Sequence, residues 1–260
     1  MVIGWSNQER DDAGGDGAAS PWKRIEEAQL EPRLPCLLVP QPAHAVLAGD
    51  LADALSDRAF GPLPPEIKQA ILMHDTGWAM TDAAQIQHLR SDAARAAKPV
   101  SFVANSPHES AEAWTASINS VERMSPAGGL IVSLHFTLLA RQIEQRSFIA
   151  AERSRQRRLK AKCRDDGTEV ARWVAALGFC DLLSLYLLCG FQNGAEFPLA
   201  HPSSPEAAGA PRAALKVEDD LLYFTPQIFH AGARIELDAL RHPVSGAGSP
   251  RTERLSWQIA

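Results

Sequence analysis

Residues 179–191 read FCDLLSLYLLCGF, a nearly unbroken apolar run that carries one carboxylate, Asp181. It falls short of the ~20 apolar residues that cross a bilayer, and it lies inside a longer helical pattern, Val170 to Cys189. The segment therefore reads as a helix of a protein core that draws Asp181 inside with it. Burying an unpaired carboxylate costs roughly several kcal/mol, so a partner is required. No basic residue lies within one turn on the same helix, and Arg172 stands nine positions back. An arginine from elsewhere, a neighbouring helix to cap, or a cation would each serve.

Upstream, the helical period recurs. Val46, Leu47, Leu51, Ala54 and Leu55 predict a helix over Ala43–Leu55, and Gly61-Pro62-Leu63-Pro64-Pro65 breaks the chain after it. Ile67, Ile71, His74 and Trp78 then share one helix face. Ser106-Pro107-His108-Glu109 is a helix start, with Ser as N-cap, Pro at the first position and Glu at the third, which puts His108 in the first turn. Ser125-Pro126 opens a helix that runs through Leu130, Leu134 and Leu138 toward Lys162 with a break near Arg146. The Asp165-Asp166-Gly167-Thr168 turn separates it from the Val170 helix.

These patterns define a mainly α protein, a helical bundle with a small C-terminal β element. Residues 1–34 read as a largely disordered leader, because SNQERDDAGGDGAAS at 6–20 has too little apolar surface to offset its ordering entropy. Residues 35–195 form the helical domain, opened by an apolar run at Pro35–Val39 that could be a strand. Residues 196–260 read as a loop and a small strand pair, Leu221–Phe224 and Ala233–Leu237, packed on the helices.

Composition narrows the function. An apolar share of 45%, a charged share of 22% and a net charge of -5 describe a globular chain with a mildly acidic surface and no nucleic-acid footprint. The basic stretch from Arg153 to Arg164 lacks interleaved aromatics, so a solvated helix face is favoured over a phosphate-binding or docking surface. Cys36, Cys163, Cys180 and Cys189 have no metal-ribbon spacing and read as reduced thiols. With neither a signal-peptide pattern nor a membrane-spanning run, the expected location is the cytoplasm and the expected partner a small-molecule substrate, with no nucleic acid and no membrane.

Of eight histidines, His44, His74 and His135 fall inside apolar helical stretches, His74 is followed by Asp75, and His108 sits at a helix start. His88, His201, His230 and His242 lie in polar or Pro/Gly-flanked sequence and read as surface or loop residues. Imidazole and carboxylate ligands suit iron, manganese or zinc. His108 could equally be an exposed capping-region residue, which would leave a one-metal site.

The order His44, His74-Asp75, His108, His135, Asp181 resembles the dinuclear members of the HD-domain superfamily, over roughly residues 41 to 190. The contexts QPAHAVLAGDLA and HDTGW also look like an uncharacterised bacterial family of unknown function. The HD resemblance implies an HD-type helical bundle with two divalent ions, of iron, manganese or zinc. In it His44, His74 and Asp181 complete one shell, His108 and His135 serve the other, and Asp75 bridges the ions as the central catalytic residue. Two chemistries follow from it: hydrolysis of a phosphate ester, which is preferred, or oxygenation at a di-iron pair. A metal-stabilised protein without turnover is the third reading.

The third position after Asp75, commonly Lys in the HD phosphohydrolases and Lys or His in the oxygenases, is Trp78 here. Gln41, three residues before His44, is a candidate substrate contact. Trp78 and Trp114 could wall an apolar pocket, although core packing is the commoner fate of either. Arg141, six residues after His135, points about 120° away from it on a straight helix.

Overall fold

The computed structural model of the chain describes residues 1–5, 20–91, 97–163, 167–191, 194–243 and 251–260. The leader expected at 6–20 lies outside the described residues apart from Ser20, as do Asp165 and Asp166 of the expected turn.

The helices are α1 (Pro21–Leu30), α2 (Gln41–Ala54), α3 (Asp57–Phe60), α4 (Pro65–Met73), α5 (Ala79–Leu89), α6 (Pro107–Met124), α7 (Pro126–Gln142), α8 (Arg146–Lys160) and α9 (Thr168–Leu188). Helix α9 contains most of the FCDLLSLYLLCGF run. Among the described residues it alone is long and apolar enough to cross a membrane, yet 78% of its apolar window is buried inside the protein. It packs against α2 and α7, and α4 packs against both of these in turn, so the three histidine-bearing segments surround Asp181.

Local sequence signals place the helix ends. The Ser106 hydroxyl accepts the Glu109 N–H at 3.2 Å while the Glu109 carboxylate accepts the Ser106 N–H at 2.8 Å, the reciprocal cap that the Ser-Pro-His-Glu run predicts. Ser125 accepts the Gly128 N–H at 3.1 Å and starts α7. The break expected near Arg146 is the gap between α7 and α8, where Glu144 takes a positive φ of 53°.

The mainly α bundle with a small terminal β element is not what the chain builds. Seven strands, β1 (Val2–Gly4), β2 (Cys36–Val39), β3 (Ala195–Pro198), β4 (Arg212–Glu218), β5 (Leu221–Thr225), β6 (Arg234–His242) and β7 (Thr252–Ile259), form one sheet among the described residues. Its order is β1-β2-β6-β7-β5-β4-β3, and every pairing is antiparallel except β5 with β7. The two segments expected to pair with each other become β5 and β6, but β7 lies between them.

Strand β6 then reaches across the chain to β2, with Leu38 opposite Leu240, and β2 carries β1. Sequence-distant apolar strands thus fuse into one sheet, because each short strand buries its apolar face only when its neighbours are present. Residues expected to belong to a leader have defined places: Val2 and Ile3 are fully buried in β1, and α1 lies against α9. The free edge of β1 is closed by a side chain. Gln29 accepts the Ile3 N–H at 3.0 Å and donates to the Ile3 carbonyl at 2.6 Å, standing in for another strand.

Candidate metal centre

The His74-Asp75 pair sits where α4 ends. His74 closes the helix, and a 3₁₀ turn at Thr76–Trp78 follows. That turn packs on α6 so closely that a Cβ at Gly77 would lie 2.0 Å from the Ala113 carbonyl oxygen. The Gly77 N–H is held by Ser117 Oγ at 2.9 Å. Glycine in HDTGW therefore lets α6 clamp the turn and fixes the direction of both ligand-type side chains.

Five of the six expected ligand residues converge. His44, His74 and His135 are each 1% exposed, and Asp75 is 6% exposed. His44 Nε2 lies 3.0 Å from Asp181 Oδ1 and 3.6 Å from Asp75 Oδ2, and His74 Nε2 lies 3.5 Å and 3.6 Å from the same two atoms. His135 Nε2 faces the other oxygen, Asp181 Oδ2, at 3.7 Å. His108 does not join them. Its side chain is 82% exposed and pairs with Glu112 at 3.5 Å on the outer face of α6.

Two overlapping groups, His44-His74-Asp75 and His74-His135-Asp181, bring donor atoms within 4.8 Å of one another. Hydrogen bonds to the far ring nitrogens distinguish the histidines. His74 Nδ1 donates to the Ile71 carbonyl at 2.7 Å, which turns the Nε2 lone pair inward, and that nitrogen has no hydrogen-bond partner. Ser184 Oγ donates to the Asp181 carbonyl and accepts from His44 Nδ1, each at 2.8 Å, so His44 also presents Nε2 inward. A lone pair 3.0 Å from a carboxylate oxygen is repulsive unless a proton or a metal cation lies between them.

His135 is held the other way. The Ser203 N–H donates to His201 Nδ1 at 3.1 Å, which places the His201 proton on Nε2, aimed at His135 Nδ1 at 2.9 Å. A neutral His135 then carries its own proton on Nε2, facing Asp181. His201, whose Pro-flanked sequence predicts a surface or loop residue, is 3% exposed. No local signal marks it. It reaches the centre because α9 has a glycine where the loop crosses: a Cβ at Gly178 would lie 2.6 Å from the His201 ring. His242, also expected at the surface, is 1% exposed and bonds to the Ala97 carbonyl, whereas His88 and His230 are exposed.

Burial and mutual charge set the protonation of the cluster. Burial opposes charge on His74, but Asp75 and then Asp181 outweigh it and raise the imidazole to about 9. Asp75 is pushed up by burial. Burial also works against the Asp181 carboxylate, yet the hydrogen bond from His44 and the neighbouring imidazole of His74 hold it well below the usual range. Burial drives His135 well below the ordinary imidazole value and His201 down to about 4, so both are neutral near pH 7.

The cluster forms one wall of a cavity of about 530 Å³. Gln41, Trp78 and Trp114, singled out in the sequence, all line it. Arg141 is exposed and is not among the lining residues.

A family model described as "Protein of unknown function (DUF3891)" matches residues 31–239, and the chain belongs to that family. No curated protein and no solved structure matches the sequence. The HD-domain resemblance is not upheld. The matching family is this one, and the seven-stranded sheet that includes both ends of the chain does not fit the helical bundle the resemblance implied.

Proposed function

We propose that the chain is a metal-dependent hydrolase whose centre holds one divalent cation among His44, His74, Asp75 and Asp181. One observation carries this reading: two imidazoles turn their Nε2 atoms toward two carboxylate oxygens at 3.0–3.6 Å, and one of those nitrogens is buried without a partner. Donors about 2.0–2.2 Å from one ion stand roughly 3.0–3.5 Å from their neighbours, which fits these separations. The two-ion arrangement expected earlier loses His108 to solvent. His74 Nε2 can serve one ion only, so one ion is the better fit.

When bound, such a cation supplies Lewis acidity toward an ester or amide oxygen. The chain's own groups do the rest. The Ile71 carbonyl and Ser184 orient the two imidazoles, Asp75 and Asp181 bring two negative charges that balance a divalent ion, and His135 holds a proton at Nε2 beside Asp181. That N–H is placed to donate a hydrogen bond to a substrate oxygen, and His201 fixes the tautomer that puts it there.

Charge also refines the expected phosphate ester. With the ion's charge balanced by Asp75 and Asp181, a phosphate monoester would bring two further charges. The arginine lining the cavity, Arg212, is engaged with Glu196, its Nε 3.4 Å from the carboxylate. A substrate carrying at most one negative charge at the scissile group suits the site better. The four cysteines, three of them buried, read as reduced thiols that suit a reducing compartment, and we place the protein in the cytoplasm.

The test is hydrolysis by metal-depleted protein, with and without added Mn²⁺ or Zn²⁺, of a neutral aryl ester, an aryl phosphodiester and an aryl phosphate monoester. Metal-stimulated cleavage of the first or second, lost in Asp75→Ala, is expected. Bound metal with no turnover of any substrate would favour a structural ion.

A further inference from the structure

Three residues that line the cavity beside the metal centre carry buried polar atoms with no hydrogen-bond partner among the described residues. Gln41 is 4% exposed and its Oε1 has no partner, and Trp78 is 3% exposed and its Nε1–H has none. Asn105, in the loop before α6, has a buried amide nitrogen in the same condition. All three residues line the cavity. A buried donor or acceptor left without a partner costs about 1–3 kcal/mol. One acceptor and two donors around a single cavity are therefore explained by a ligand that supplies the complement.

The other walls say what that ligand is made of. Trp22, Phe102, Trp114 and Phe136 present rings to the cavity, and Trp114 and Phe136 stack with centroids 5.2 Å apart and planes 16° from parallel. Outside the cluster, the charged lining residues among those described are Glu26 and Arg212, both exposed and hence at the mouth. The interior thus combines aromatic faces with uncharged polar atoms. About 530 Å³ is the size of a small-molecule site.

We infer that the cavity binds a neutral, planar ring system bearing both an N–H donor and a carbonyl acceptor, a cyclic amide or its heteroaromatic equivalent. The ring lies against the aromatic walls, the N–H meets Gln41 Oε1, and the carbonyl oxygen takes the Trp78 and Asn105 donors. The inference rests on the hydrolase reading only for the assumption that the scissile bond is on the side of the ring facing His135 and Asp181. Recognition itself is a property of the cavity.

Tryptophan fluorescence titrations with 2-quinolone, a bicyclic cyclic amide, and with naphthalene, which has the same outline and no polar atoms, separate the contributions. 2-Quinolone should bind more tightly than naphthalene, and Gln41→Leu and Trp78→Phe should each weaken it about tenfold while leaving naphthalene unchanged. Naphthalene binding reports that a variant keeps its cavity. If Gln41→Leu loses naphthalene as well, Asn105→Ala at its half-buried loop position carries the same comparison.

Equal affinity for both probes, or variants that do not discriminate between them, would overturn the inference. Titrating metal-depleted and Mn²⁺-loaded protein in parallel keeps the two readings apart. Selective 2-quinolone binding without metal-dependent hydrolysis would defeat the hydrolase and leave this site standing. Hydrolysis without selectivity would do the reverse.

Discussion

His44 Nε2 and Asp181 Oδ1 lie 3.0 Å apart on helices α2 and α9, 137 residues distant in sequence, and Ser184 ties both residues together from one turn further along α9. The serine hydroxyl fixes the imidazole tautomer while its own proton is held by the Asp181 carbonyl.

Ser184→Ala should therefore leave the fold intact and weaken the binding of Mn²⁺ or Zn²⁺ about 10–100-fold, the usual effect of removing the group behind a metal-binding histidine. Calorimetric titration of the variant checks this, and an unchanged affinity would show that His44 needs no such support.

Gly178→Ala places a methyl group 2.6 Å from the His201 ring. We expect a stability loss of about 1–3 kcal/mol from overpacking, together with a changed His135 ring signal in NMR as its hydrogen bond to His201 is lengthened. Gly209→Ala, where a Cβ would meet nothing within 4 Å, is the control and should behave as the parent.

Gln29→Leu removes the side chain that closes the β1 edge. Both peptide groups of Ile3 lose a partner in a buried setting, so unfolding by urea should register a loss of about 2–4 kcal/mol. Full stability in the variant would mean that the edge finds another cover.

In the metal-depleted protein, His74 is raised to about 9 from an ordinary value of 6.5. Folding then favours the protonated imidazole, so its contribution is fully present below pH 6.5 and is lost as pH rises through 9. His201 has the opposite sign: lowered to about 4, it weakens the fold as pH falls from 6.5 through 4. Melting temperatures of the metal-depleted protein should fall on the alkaline side, and His74→Gln should flatten that arm. An alkaline decline of equal size in the variant would assign the effect to another group.

Much of this molecule is legible in its sequence where the signal is local. Ser106 and Ser125 announce α6 and α7, the apolar period finds α2 and α9, and a carboxylate inside FCDLLSLYLLCGF points to a compensated centre. The sheet is harder to read because its pairings are not local. Strand β1 is three residues long, β2 pairs with a strand some 200 residues away, and β4 hides in Ala- and Pro-rich sequence. Strand β7 does carry a period-two signal, with Leu255, Trp257 and Ile259 buried between polar neighbours, but nothing in it reveals that it separates β5 from β6. His201 and His108 exchange roles for a similar reason. A Pro-flanked histidine is brought inside by a glycine on a distant helix, whereas a first-turn histidine is turned outward by the helix it starts.

The most direct test of the account is the stoichiometry and affinity of Mn²⁺ and Zn²⁺ binding to metal-depleted protein, measured by calorimetry and elemental analysis on the parent chain, His74→Gln and Asp181→Asn. One ion per chain is expected, with proton release on binding as His74 gives up its proton, and loss of the ion in both variants while the fold persists. Two ions per chain, or one ion that both variants retain, would contradict it. No binding at all would leave His44, His74, Asp75 and Asp181 as a buried ion-pair network.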